Sequence, residues 1–529
     1  MRNNNILAII LASLAILGCT KEYNNSDIPN PKTIDYSNVA IILGEEQPDP
    51  YNFQNMVAAR DSLANNGVEC PINDFKPTGT YVRILCHSDI EEDLIRDDTN
   101  IVWFDYPLNY EILQRGSYYV DNTLIDTSLS WIYGVVPIGY VFPNSMVPET
   151  IYNVFVPDEH PEYKNYTDYF DTLEYVSNIM CGYTDIGVDS LSKGLSKWNP
   201  SATIRVWDDI RQSYIPLDGV KVKVHRNCKT ASAITDQNGY CSISKKFKGR
   251  VDYSIEWERH YWKILNGKNK LTYLTGPFYN AMWTLNINAG NNADYQRATI
   301  HRAAIIANYK SNWTIKRPRK ANIFGTKKLK IRYYDSRCNT GINVIGRAYC
   351  KKSGDGKSDI DIWGKNQFGS NFSTIEVFNR TIHELAHWSH AFFYGADDYR
   401  LDVNKFIGES WAQCVDWQIT TDEYGNYFSN LGYHDGYQDW NLSTANTNRY
   451  YYTPVFIDLI DNHNQSISNS TCPNDNISSY TIKLIQDSIL PGVFNSNELK
   501  NRLYNHRQRG ESNTDIDNLL FLYQSSNGF

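Results

Sequence analysis

From Ser373 onward, apolar residues fall at Ile375, Phe378, Ile382, Leu385 and Ala386, the spacing of one buried helical face. Ser373 followed by Glu376 reads as a reciprocal N-terminal cap, and Gly395 as a stop. The opposite face carries Asn379, His383, His387 and His390. A second helix is predicted around Gly408–Asp416. There Trp411, Cys414 and Val415 face one way, while Glu409, Gln413 and Asp416, at i, i+4 and i+7, face the other. Upstream, Tyr295–Asn308 reads as helix, and Lys328–Tyr334 and Ser358–Trp363 as strands.

A period of two dominates residues 198–256. Strands are predicted at Ala202–Trp207, Pro216–Val224 and Val251–Trp257, with a tight Asn238-Gly239 turn between the last two. The preceding region, 36–195, mixes strand patterns at Val39–Leu43, Tyr81–Leu85 and Ile101–Pro107 with a helical one at Asn55–Asn65. Its acidic run, Glu91-Glu92-Asp93 with Asp97 and Asp98, reads as a solvated helix face. Beyond the second histidine-linked helix, Val455–Asp461 reads as an apolar helix and residues 478–525 as a small helical tail.

Charge changes the list of partners. The chain is 529 residues long with net charge −8 and no basic block, which argues against nucleic acid. At 41% hydrophobic it can bury several cores. Ile6–Leu17 is apolar but too short to span a bilayer as a mature helix, and it follows Arg2 as a processing signal does. Of the ten cysteines, Cys228/Cys241 and Cys338/Cys350 are close enough in sequence to bridge neighbouring strands. Cys414, on the apolar face of its helix, is the expected unpaired thiol.

The chemistry concentrates in His383-Glu384-Leu385-Ala386-His387. On a helix the two histidines share a face and can offer two nitrogens to one metal ion, with Glu384 in reach of a metal-activated water. A catalytic zinc wants a third protein ligand and an open position. His390, Asp397, Asp398 and Glu409 are the rivals for that third place. The glycine and third histidine of the metzincins are absent, since His390 and Phe393 occupy their places.

His383–His387 followed by Glu409-Ser410-Trp411-Ala412 resembles the gluzincin branch of the zinc metallopeptidases. That resemblance implies zinc held by His383, His387 and Glu409, with Glu384 as general base. In that branch an Asp four residues after the ligand Glu supports a zinc histidine. Here that place is Gln413, so Gln413 or Asp416 takes the role. Tyr399 and His434, with Tyr394 and Tyr451 behind them, are the residues on hand for steadying an oxyanion. By the same resemblance, Asp361–Trp363 is the sheet edge to which a substrate strand would add.

Two further resemblances frame the chain. Ile16-Leu17-Gly18-Cys19 is similar to a bacterial lipobox, implying lipid on Cys19, a tether over 19–35 and a place in the cell envelope, on the outer membrane and its surface. The Gly-Val-x-Val strand and Thr-Asp-x-Asn-Gly turn resemble the carboxypeptidase regulatory-like, transthyretin-type β-sandwich, here over 196–258. The expected architecture is therefore multidomain α+β. A zincin-like domain (285–529) follows the sandwich and the N-terminal mixed region. The expected activity is zinc-dependent hydrolysis of peptides or proteins, glycoproteins among them, with membrane contact through lipid alone. The alternative is a non-catalytic surface binding lipoprotein that retains the fold.

Overall fold

The computed structural model describes residues 38–124, 129–143, 146–185, 197–290, 292–310, 315–316, 328–338, 346–348, 359–393, 403–430, 451–467 and 472–525. Helices and several separate sheets alternate along it, giving a multidomain α+β molecule.

The N-terminal region contains β1 (Ile42–Glu46), α1 (Phe53–Asn65), β2 (Gly79–Cys86), α2 (Asp89–Arg96), β3 (Tyr110–Gln114), β4 (Ser130–Pro137), β5 (Glu149–Val154) and α3 (Thr167–Met180). β1 pairs with β3, and β2 lies between β4 and β5 in an antiparallel sheet. The segment expected as a strand at Ile101–Pro107 makes one isolated bridge instead, Phe104 with Tyr133. Its apolar residues Val102, Trp103, Phe104 and Tyr106 are all buried, so side-chain burial rather than a ladder holds it. The acidic run departs further from expectation. Asp93 is fully buried, and Lys263 reaches Asp93 at 2.8 Å and Glu92 at 3.3 Å. Lys330 pairs with Asp89, and Lys328 with Asp97. These cations come from strands far along the chain, so α2 is a docking face rather than a solvated one.

The sandwich comprises β6 (Ser201–Asp208), β7 (Ser213–Pro216), β8 (Lys221–Arg226), β9 (Lys229–Ile234), β10 (Tyr240–Ser242), β11 (Val251–Glu256), β13 (Tyr273–Tyr279) and β14 (Trp283–Ile287), with β12 (Trp262–Leu265) leaving it for another sheet. One sheet runs β10-β6-β14 with β7 on β6; the other runs β13-β11-β8-β9. The Asn-Gly turn requires its glycine: Gly239 has φ +71, and a Cβ there would stand 2.3 Å from the Ile204 carbonyl oxygen. Cys228 and Cys241 are unbridged. Their expected pairing fails because Cys241 sits in β10 of one sheet, while Cys228 follows β8 of the other and touches Tyr152 of the N-terminal region. Cys350 lies outside the described residues. Cys414 is buried and unbridged.

β12 runs parallel to β15 (Leu329–Arg337), which runs parallel to β17 (Ile360–Lys365). β16 (Gly346–Ala348) closes the order β12-β15-β17-β16 as an antiparallel edge. β17 thus has neighbours on both sides, and among the described residues the outer strand on that side of the sheet is β16 rather than Asp361–Trp363. Against this sheet pack α4 (Asn292–Tyr309) and α5 (Thr374–Phe393); α6 (Lys405–Tyr424) packs on α5. Ile331, Tyr333, Ile360 and Ile362 point into the same core as Phe378, Ile382, Leu385 and Trp411. That core is continuous with the sandwich interior at Ile204, Val222 and Ile255. Helices at Val455–Asp458, Ser496–Asn505 and Asn513–Ser525 complete the chain's C-terminal side.

Candidate metal centre

The cap that starts α5 forms as its sequence suggests. The Ser373 amide donates to Glu376 Oε2 at 2.8 Å, and the Glu376 amide to Ser373 Oγ at 3.4 Å. With the apolar stripe Ile375, Phe378, Ile382 and Ala386 buried, the helix is rotationally fixed, and His383 and Glu384 lie 3% and 4% exposed. α6 begins at an Asn404 cap, whose side chain accepts from the Phe406 amide at 2.8 Å. It buries Trp411, Cys414 and Val415 and turns Glu409, Gln413 and Asp416 toward α5. Asn379 Nδ2 donates to Thr420 Oγ1 at 3.3 Å, a further link between the two helices.

Three ligand atoms converge. His383 Nε2 stands 3.2 Å from Glu409 Oε2 and 3.2 Å from His387 Nε2; His387 Nε2 stands 3.5 Å from the same Glu409 oxygen. Among the described residues this is the group of His, Cys, Asp or Glu side chains able to hold a metal ion. Zinc–ligand bonds of about 2.0–2.2 Å at tetrahedral angles separate ligand atoms by roughly 3.3–3.6 Å. The triangle therefore has the size one such ion needs.

Asp416 Oδ2 sits 2.9 Å from His383 Nδ1, so that nitrogen carries the proton and Nε2 presents its lone pair to the triangle. Gln413 Nε2 donates to the other oxygen, Asp416 Oδ1, at 2.9 Å. Asp416 orients the histidine, and Gln413 orients Asp416. Burial and the Arg380 charge press the His383 imidazole toward its neutral form. The hydrogen bonds to Asp416 and Glu409 outweigh them and lift it to about 9. Burial likewise opposes the charge on Glu409, yet the two imidazoles hold its carboxyl well below the usual range. The two shifts are the two sides of one interaction, between the His383 imidazole and the Glu409 carboxyl.

Of the rival side chains, the structure places His390 and Tyr451. His390 is fully buried beside Trp411, their ring centroids 6.5 Å apart, and burial drives its imidazole well below the ordinary histidine value. It is a core side chain. Tyr451 packs its ring on Phe406 at 5.6 Å and under Lys405. Cys19, Tyr394, Asp397, Asp398, Tyr399 and His434 lie outside the described residues.

Sequence reasoning passed over Arg380. Its Nη1 is 3.8 Å from Glu384 Oε1, one helical turn before that residue. The signal was available in the i, i+4 spacing. Sequence reasoning also passed over Gly346 on β16, where a Cβ would stand 3.0 Å from Glu384 Cγ and 2.5 Å from Arg380 Cγ. The edge strand thus runs directly against the helix that carries the motif.

No family model matches the sequence, and no curated protein matches it. A solved structure of a 9R-lipoxygenase from Cyanothece PCC8801 matches at 11% identity over 21% of this chain and 22% of that one, with a TM-score of 0.12, which carries no argument about fold or activity.

Proposed function

We propose that this chain is a zinc-dependent metallopeptidase of zincin-like fold, with His383, His387 and Glu409 holding the metal. The observation that carries the reading is the 3.2–3.5 Å triangle of ligand atoms, with Glu384 on the same helix. An antiparallel edge strand, β16, lies beside that helix and supports the reading. Zinc bound there would polarise a peptide carbonyl and lower the pKa of a water to about 7. The chain's own groups do the rest. Asp416 holds His383 in the required tautomer. Glu384 takes a proton from the attacking water as the new C–O bond forms, and delivers it to the departing amine as the C–N bond breaks. A ligand set without Glu384 could still bind metal, so this glutamate marks hydrolysis rather than storage.

The apolar run ending at Leu17-Gly18-Cys19 supports an exported lipoprotein with lipid on Cys19. Among the described residues no helix is long and apolar enough to cross a membrane. Together with the motif helix, the apolar run supports a lipid-anchored enzyme of the cell envelope that acts on peptides or proteins.

The test is Glu384→Gln. It should keep zinc and lower hydrolysis by about 10²–10⁴-fold or more. Undiminished cleavage would remove Glu384 as the base, and absence of cleavage by the zinc-loaded native protein would favour a binding role.

A further inference from the structure

Phe368, Ile467 and Phe521 are exposed apolar side chains that each stand alone on their segments. Single ones are ordinary on a protein surface. The connection from β4 to β5 is different. Within ten residues it carries Ile138, Val141 and Val147, which are 57%, 85% and 84% exposed. From Pro137 to Pro148 the sequence holds no charged residue.

This connection is held from beneath. The Tyr140 amide donates to the Pro137 carbonyl at 3.1 Å and closes a turn, with Gly139 at φ +80 in the third place, where such a turn favours glycine. The Tyr140 hydroxyl donates to Asp98 Oδ2 at 2.8 Å. Tyr140, Phe142 and Met146 pack on the core of Val82, Ile84 and Ile132. The aromatic and thioether side chains thus hold the loop, and the aliphatic ones face outward. Protein partners are gripped chiefly through Trp, Tyr and Arg, and here the rings are turned inward. A bilayer asks only for apolar surface free of charge.

Cys19 lies nineteen residues before Asn38, the first described residue. That length of chain spans at most about 65 Å, and a compact protein of this size is about 60 Å across. Lipid on Cys19 therefore keeps the chain at a membrane and selects no face of it. Resting on the lipid-anchored reading, we infer that the β4–β5 loop is a second membrane contact besides the lipid. Ile138, Val141 and Val147 enter the boundary between headgroups and acyl chains, and so fix which face the chain turns to the bilayer.

The experiment purifies the chain from residue 20, without lipid and with every described residue kept, and spins it with vesicles of phosphatidylethanolamine and phosphatidylglycerol in a flotation gradient. The chain should float with the vesicles. Raised salt should not release it, because the contact is apolar. Val141→Asp combined with Val147→Asp should cut the bound fraction about tenfold or more, with circular dichroism and zinc content unchanged. Phe368→Asp, on a different exposed side chain, should float as the native chain does. A chain that stays in the buffer, or floats equally well with both valines replaced, overturns this inference and leaves the lipid anchor standing. So does a chain released as much by Phe368→Asp as by the valine pair. The mass of the Cys19 peptide from the full chain tests the anchor separately: an unmodified thiol overturns the anchored reading, whatever the vesicles show.

Discussion

Glu256 and Glu409 are both carboxylates drawn below their usual range by neighbouring nitrogen, and they stand in opposite situations. Glu256, in the sandwich, is met by Lys221 at 2.9 Å and by Lys223 and Arg96 at 3.0 Å, with its side chain 1% exposed. Its partners are two lysines and an arginine within 3.0 Å, so the network is complete as folded. It joins α2 of the N-terminal region to the sandwich and, through Lys263, to the sheet behind the motif helix. Glu409 meets two imidazole nitrogens instead, at 3.2 and 3.5 Å. With Asp416 on its Nδ1 side, His383 faces Glu409 through Nε2, the same atom it turns to His387. A saturated cluster is structure. Three ligand atoms turned toward one point are an arrangement that a metal ion could fill.

Three experiments sharpen that contrast. The largest effect belongs to the saturated side. Glu256→Gln leaves two buried cations, Lys223 and Arg96, and the part-exposed Lys221 without their shared anion. We expect it to destabilise the chain by about 3–5 kcal/mol in urea denaturation. Zinc uptake by the folded fraction should stay intact. A loss under about 1 kcal/mol would mean that the network is not the clamp described.

The next effect is in pH. Burial opposes the charge on Glu92, but Lys263 and Arg96 prevail and depress its carboxyl to about 2. A depressed acid stabilises above its unfolded value, and that stability is lost as pH falls from about 4.5 through 2, up to about 3 kcal/mol. Asp93 beside it is pushed up to about 6, by burial first, so its contribution has the opposite sign and fades as pH rises from about 4 to 6. Glu92→Gln should therefore flatten the acid limb of the stability curve below pH 4.5. An unchanged acid limb would sink the assignment.

The smallest effect belongs to the metal side. Asp416→Asn keeps the shape but can no longer accept the His383 proton as a carboxylate does. Zinc affinity should fall about 10–100-fold in competition with a chelator. Gln413, one contact further out, should matter less than Asp416. The reverse order would contradict the chain of contacts from Gln413 through Asp416 to His383.

What could be read in the sequence was what is local. The α5 cap, its apolar stripe and the shared face of His383 and His387 follow from spacing within one helix, and the structure shows them so, while His390 turns into the core. The face of α6 was legible for the same reason. Which of Gln413 and Asp416 touches the histidine was not, because it depends on the angle at which two helices meet. The acidic face of α2 misled because its cations, Lys263, Lys328 and Lys330, lie far away in sequence. The open edge of the sheet was misplaced because β16 is three residues long and carries no period of its own. The Cys228–Cys241 bridge was misjudged because closeness in sequence does not say which sheet a strand joins.

The most direct test is the metal content of the purified chain, by elemental mass spectrometry before any zinc is added, with Glu409→Ala alongside. The account predicts about one zinc per native chain and close to none in the variant. A native chain that holds no zinc and takes up none on titration would contradict it. So would a Glu409→Ala chain that keeps its zinc and gives it up only when Asp397 and Asp398 are replaced.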